Sequence, residues 1–159
     1  MIRPATAADA DAIRRVHLES FPGPAEADLV QELETDGDAV ISLVAEEGGE
    51  VIGHVLFSRM DAPFRALGLA PVAVLVTHRR QGIAARMIGA GLAEAAAQDW
   101  QGVFVLGDVP YYSRFGFDAA AARGFTSPYA GEHFLLKSLG PLPAHEGAVD
   151  YAPAFARLG

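Results

Sequence analysis

Apolar positions along the chain follow two rhythms, and the change between them marks out the elements. Residues 40–45 and 51–57 are short apolar runs rich in Val, Ile and Leu. They are separated by Glu46-Glu47-Gly48-Gly49-Glu50, whose length and glycines predict a strand hairpin. Residues 69–76 are almost wholly apolar and rich in β-branched residues, the pattern of a strand buried on both faces. Immediately afterwards the period changes: Ile83, Met87, Ile88 and Leu92 recur at helical spacing, predicting a helix to about residue 98.

The remaining elements follow the same logic. Residues 2–4 read as a short first strand. Thr6 reads as an N-cap with Asp9 three residues on, opening a helix to about residue 21 with Ile13, Val16 and either His17 or Ser20 inward. Pro22-Gly23-Pro24 breaks it, and a second helix spans 25–34 until Asp36-Gly37-Asp38. Residues 60–68 read as a loop and 102–106 as a fifth strand. Residues 119–124 read as a small-residue loop or short helix, 133–139 as a sixth strand, and 141–159 as one more strand and a tail. Strands and helices alternate without a boundary, so residues 1–159 read as a single α/β domain.

Composition narrows the function classes. With 159 residues, 51% of them hydrophobic, the chain can fill a sizeable core. No apolar run approaches the roughly 18 residues of a membrane span, and a secretory signal is not expected. The absence of cysteine removes disulfides, thiolate nucleophiles and thiolate metal sites, and suits a cytoplasmic location. The five histidines show no paired ligand spacing, so no metal is expected. A net charge of −8 argues against a nucleic-acid partner. Between Val16 and Ser58 there is no Lys or Arg but there are ten acids, whereas Arg79, Arg80 and Arg86 cluster around one turn. That asymmetry suits an anionic cofactor at one end and a cationic acceptor at the other. It also suits helices that simply carry their acids outward.

The turn itself, Thr77-His78-Arg79-Arg80-Gln81-Gly82, lies between the apolar strand and the helix. The first amides of a helix have no partner inside it and the dipole adds positive potential there, so this is a natural phosphate site. Gly82 lets a ligand approach the backbone. Arg79-x-x-Gly82-x-Ala84 resembles the Gln/Arg-x-x-Gly-x-Gly/Ala signature of the GNAT superfamily of N-acetyltransferases. A second stretch, Gly107-Asp108-Val109-Pro110-Tyr111-Tyr112-Ser113-Arg114-Phe115-Gly116-Phe117, resembles that family's Tyr-x-x-x-Gly-Phe element, most closely in its YhbS-like bacterial branch. The two motifs stand in the family's order, and the element order fits to about residue 138.

The resemblance implies a three-layer α/β/α fold around a mixed, mainly antiparallel sheet of six or seven strands, splayed between the fourth and fifth. It implies acetyl-CoA as co-substrate and a primary amine as acceptor, with direct attack and no covalent enzyme intermediate. The loop residues Arg79, Arg80, Gln81, Gly82, Ile83 and Ala84 would hold the pyrophosphate. Pro71 inside the fourth strand marks a bulge, beyond which Val72, Ala73 and Val74 would pair with the pantetheine arm. The Val74 amide would then face the thioester oxygen as an oxyanion donor. Tyr112 matches the family's general acid to the departing thiolate, with Tyr111 as the rival one position earlier. A packed aromatic is the plain alternative for either.

No ionisable residue stands in 69–76, where many members of the family carry a glutamate. Glu26, His54 and Asp108 remain as candidate bases. His54 reads first as a sheet-face histidine, and Asp108 as a helix cap. A catalytically weak acyl-CoA-binding or sensing module is therefore the alternative function. The acceptor, the acyl-chain preference and the oligomeric state, monomer or homodimer, stay open.

Overall fold

The structure, a computed structural model, describes residues 1–158. Its centre is a six-stranded sheet built from β1 (Ile2–Pro4), β2 (Ala39–Glu47), β3 (Glu50–Arg59), β4 (Ala66–Val74), β5 (Gly102–Leu106) and a sixth strand, Phe134–Ser138. All neighbours are antiparallel except β4 and β5, which run parallel. The helices are α1 (Ala10–Ser20), α2 (Ala25–Thr35), α3 (Ile83–Ala97), α4 (Val109–Ser113) and α5 (Ala119–Ala122).

Alternation along β3 assigns the layers. Adjacent strand residues point to opposite faces. Gly53 lies against Met87 of α3, whereas the side chain of its neighbour His54 reaches His17 of α1. Hence α1 packs on one face and α3 on the other, and β3 is buried from Val51 to Ser58, as a doubly covered strand must be. The predicted α3 stripe of Ile83, Met87, Ile88 and Leu92 is wholly buried. Gly91 completes it, because a Cβ there would overlap the Phe57 ring.

Three boundaries differ from the sequence reading. The loop read across 60–68 gives way to strand at Ala66, because Ala66, Leu67 and Gly68 pair with Gly102, Val103 and Phe104. The fourth strand stops at Val74 rather than residue 76, and Val76–His78 form a 3-10 turn. The C-terminal stretch forms a two-residue strand, Gly147–Ala148, paired in parallel with Phe125–Thr126, and then a 3-10 helix, Pro153–Leu158. Short pairings of this kind leave no periodicity to read. The Thr6–Asp9 cap is present, but it opens a 3-10 turn, Ala7–Asp9, that runs into α1. The Thr6 amide donates to the Asp9 carboxylate at 2.7 Å.

Beneath α1 lies a polar chain inside the apolar core. His17 and His54 are both fully buried, with His17 Nε2 2.8 Å from His54 Nδ1 and His54 Nε2 2.8 Å from Ser42 Oγ. Burial disfavours the imidazolium form and lowers the His17 pKa to about 4 and that of His54 to about 3. In the unfolded chain both titrate near the ordinary 6.5. Below that pH the unfolded state therefore takes up protons that the folded state refuses. Stability is full above about pH 7 and falls through the window from 6.5 toward 4, by up to about 1.4 kcal/mol per pH unit for each histidine. Asp9, held well below the usual carboxylate range by Arg3, adds its loss only at lower pH. Chemical denaturation between pH 7.5 and 4.5 should show this slope, and the slope should flatten in His17→Phe/His54→Leu.

Candidate active site

The site begins where β4 and β5 part. Their pairing covers only Ala66 to Gly68, after which β4 bulges. Residues Ala70 and Pro71 together stand opposite the single residue Leu56, since Val72 pairs with Val55 and Leu69 with Phe57. Proline fits there because a bulge needs no ladder donor. Beyond it β4 stays paired with β3 alone.

The direction of the free backbone groups follows from the ladder. The Leu75 amide donates to the Ile52 carbonyl at 2.8 Å. Residues of an antiparallel ladder bond alternately, so Ala73 and Leu75 turn toward β3. Val72 and Val74 turn their N–H and C=O to the other side, into the gap β5 has left. The Val74 carbonyl accepts there from Arg79 Nε at 3.0 Å and from Ser20 Oγ at 3.4 Å. Arg79 thus ties the turn to the end of β4, which motif spacing does not reveal.

The turn has two residues in the left-handed region, Arg80 at φ 65° and Gly82 at φ 75°. For Gly82 this carries no penalty, and a Cβ direction there meets nothing within 4 Å. For Arg80 it is strained, and such strain concentrates at ligand sites. Gly82 caps α3, its carbonyl already bonded to the Arg86 amide at 3.0 Å. The first amides of α3 therefore lack helical partners and face outward with the dipole behind them.

These parts enclose a groove of about 380 Å³. Val72, Ala73 and Val74 form one wall, and Arg79, Arg80, Gly82, Ile83 and Ala84 the end. Ser20 and Phe21 from the end of α1, with Tyr111 and Arg114 from α4, close it. Gln81 is exposed outside it. Tyr112 does not itself line the groove; it is half-buried beside the lining residue Tyr111, with ring centroids 5.0 Å apart, its ring against Gly107 and edge-on to Phe117 at 5.8 Å. Arg114 lies 4.2 Å over the Tyr111 ring and brings a further cation to the groove. Tyr111, the rival read from the sequence, is thus the tyrosine of the pair that lines the groove, whereas Arg114 did not stand out, because a five-residue helix shows no periodic face.

The candidate bases separate. Asp108 caps α4, accepting from the Tyr111 amide at 3.0 Å. Glu26 does not line the groove, and His54 is held in the buried chain with His17 and Ser42. No carboxylate lines the groove among the described residues, and no group of three metal-ligating side chains stands together among them.

Residues 1–120 match the Acetyltransferase (GNAT) domain family. The chain belongs to the GNAT acetyltransferases. It is 40% identical to the N-acetyltransferase YhbS of Escherichia coli K12, covering 99% of both chains. With YjhQ of the same organism it shares 38% identity, over 76% of this chain and 71% of that one. Among solved structures, E. coli YhbS in complex with CoA matches with a TM-score of 0.93 and 36% identity, over 100% of this chain and 93% of that one. A GNAT acetyltransferase from Brucella melitensis in complex with acetyl-CoA matches at 0.82 and 32%, over 98% and 97%. The six-stranded sheet with its parallel β4–β5 pair is the GNAT sheet.

Burial raises the Tyr112 phenol to about 12, and it raises Tyr151 further. Both stay protonated across the neutral range. Of the four tyrosines, two should therefore ionise late in an ultraviolet titration, and Tyr112→Phe should leave one.

Proposed function

We propose that this GNAT protein moves an acetyl group from acetyl-CoA to a primary amine, on a small molecule or a protein, by direct attack. The observation that carries the reading is the Val74 N–H turned into the gap between β4 and β5, beside the Gly82 turn and the free amides of α3. The residues fit the group: two outward-facing peptides for an amide-rich arm, unpaired helix amides for the pyrophosphate, and Arg80 and Arg114 for further phosphate charge. Acetyl-CoA, when bound, supplies the acetyl group as an activated thioester. Val74 N–H then stabilises negative charge on the carbonyl oxygen. Arg79 fixes that peptide's orientation through its carbonyl. Tyr112, protonated at neutral pH, gives a proton to the departing sulfur, a step worth roughly 10²–10⁴-fold in rate. The acids of 16–58 favour a cationic acceptor. No described helix is long and apolar enough to cross a membrane. We place the protein in the cytoplasm as part of this reading, which a chain without cysteine suits.

The lack of a carboxylate at the groove favours a second reading, an acyl-CoA sensor with slow turnover. The two separate by experiment. Thermal unfolding with acetyl-CoA at about 100 times its dissociation constant should show a stabilisation of about 2.7 kcal/mol, absent in Gly82→Val. CoA release should then be followed with spermidine, a lysine peptide and glucosamine. Transfer predicts release that falls about 100-fold or more in Tyr112→Phe with acetyl-CoA binding unchanged. A thermal shift with no amine-dependent release would select the sensor, and no shift would remove both.

A further inference from the structure

Attack by an amine that arrives as an ammonium ion sets one proton free per turnover. The groove offers no carboxylate to take it, and His78, which lines its end, has Nδ1 on Thr77 Oγ1 at 2.8 Å and Nε2 toward Glu47 at 3.9 Å. The buried chain Ser42–His54–His17 lies directly behind the groove. His54 is the register partner of Ala73 and shares its sheet face. The His17 ring stacks on Phe21 at 6.1 Å with planes 9° apart, and Phe21 and its neighbour Ser20 line the groove. At the other end Ser42 lines a separate hollow of about 820 Å³ under α1, α2 and the start of β2, which shares no residue with the groove. His17 Nδ1 is buried and has no hydrogen-bond partner among the described residues. Such an orphan in a core is costly and asks for a reason.

We propose that His17, His54 and Ser42 form a relay that takes the acceptor's proton at His17 Nδ1 and delivers one to water at Ser42. The proposal rests on the transfer reading above. The chain can hold its protons in two orders. In the first, His17 Nε2–H donates to His54 Nδ1 and His54 Nε2–H donates to Ser42 Oγ. A proton bound at His17 Nδ1, when Phe21 shifts for the acceptor, reverses both bonds and the Ser42 hydroxyl proton leaves to the hollow. Both rings are neutral before and after, as their burial demands. The amine then forms its C–N bond as the C–S bond breaks; Tyr112 gives its proton to sulfur, and the amine's second proton returns to the Tyr112 oxygen. Once product has left, Ser42 takes a proton from water, the bonds return, and His17 Nδ1–H releases its proton to the open groove. Asp9 is the charged group that acts on His54, and its charge is paired by Arg3. Ser42 and His54 are positioning residues, since neither meets the acceptor.

The test uses Ser42→Ala, Ser42→Thr, His54→Gln and His17→Ala, each checked for melting temperature and acetyl-CoA affinity. Turnover is measured with whichever of spermidine, lysine peptide or glucosamine the wild type acetylates fastest. We expect unchanged acetyl-CoA affinity, and kcat lower by about 10- to 100-fold in Ser42→Ala and His54→Gln. Ser42→Thr should keep the rate, and His17→Ala should be restored by imidazole but not by pyrrole, which fills the same space without accepting a proton. Wild-type kcat in a stably folded Ser42→Ala, or equal rescue by pyrrole, overturns the relay and leaves acetyl transfer standing. Acetyl-CoA binding with no amine acetylated by the wild type overturns the transfer reading and the relay with it.

Discussion

The constraint on which the rest depends is that β4 can satisfy its backbone toward β5 for only three residues. Every buried peptide group must find a partner. Past Gly68 the bulge at Ala70 and Pro71 turns Val72 and Val74 toward a space with no strand in it. A sheet interrupted in its middle would normally be a defect. Here β3 holds β4 from the other side, α3 covers one face and α1 the other, so the gap stays open without the sheet falling apart. The groove is the consequence of that unpaired length.

Electrostatics then gives the gap a direction. At one end the turn places Arg80 and the α3 amides, α4 adds Arg114, and Arg79 Nε–H donates to the Val74 carbonyl. In the proposed reaction the same motif therefore serves both the phosphate end and the peptide nearest the thioester. The histidines beneath α1 work in the opposite sense, remaining uncharged where a cation would be costly.

Much of this was legible in the sequence, for definite reasons. The long α3 stripe and the apolar β3 and β4 runs carry strong periodicity, and Pro71 announces the bulge because it cannot donate. Asp108 announced itself as a cap by the proline two residues later. The start of β4 is not legible because Gly68 and Ala66 look like loop residues. Gly68 is small because the Tyr151 ring lies where its Cβ would be, a contact 83 positions away. The spacing leaves His17 and Ser20 as alternatives for the inward face of α1 and makes His54 a sheet-face histidine, but nothing in it says that the two histidines touch. Which tyrosine of the pair lines the groove is likewise decided by packing, with Gly107 and Phe117 holding the Tyr112 ring.

The aromatic cluster beneath the sheet has a mechanical meaning. Tyr151 rests on Gly68, the last β4 residue still joined to β5, and also packs against Tyr129, Phe134 and Phe155. It fills the apex of the V, at the last residue where β4 and β5 are joined. Through Tyr151 the C-terminal segment, distant in sequence from every residue of the groove, thus packs where the groove opens. Changes there can retune the width of the opening while leaving its lining untouched.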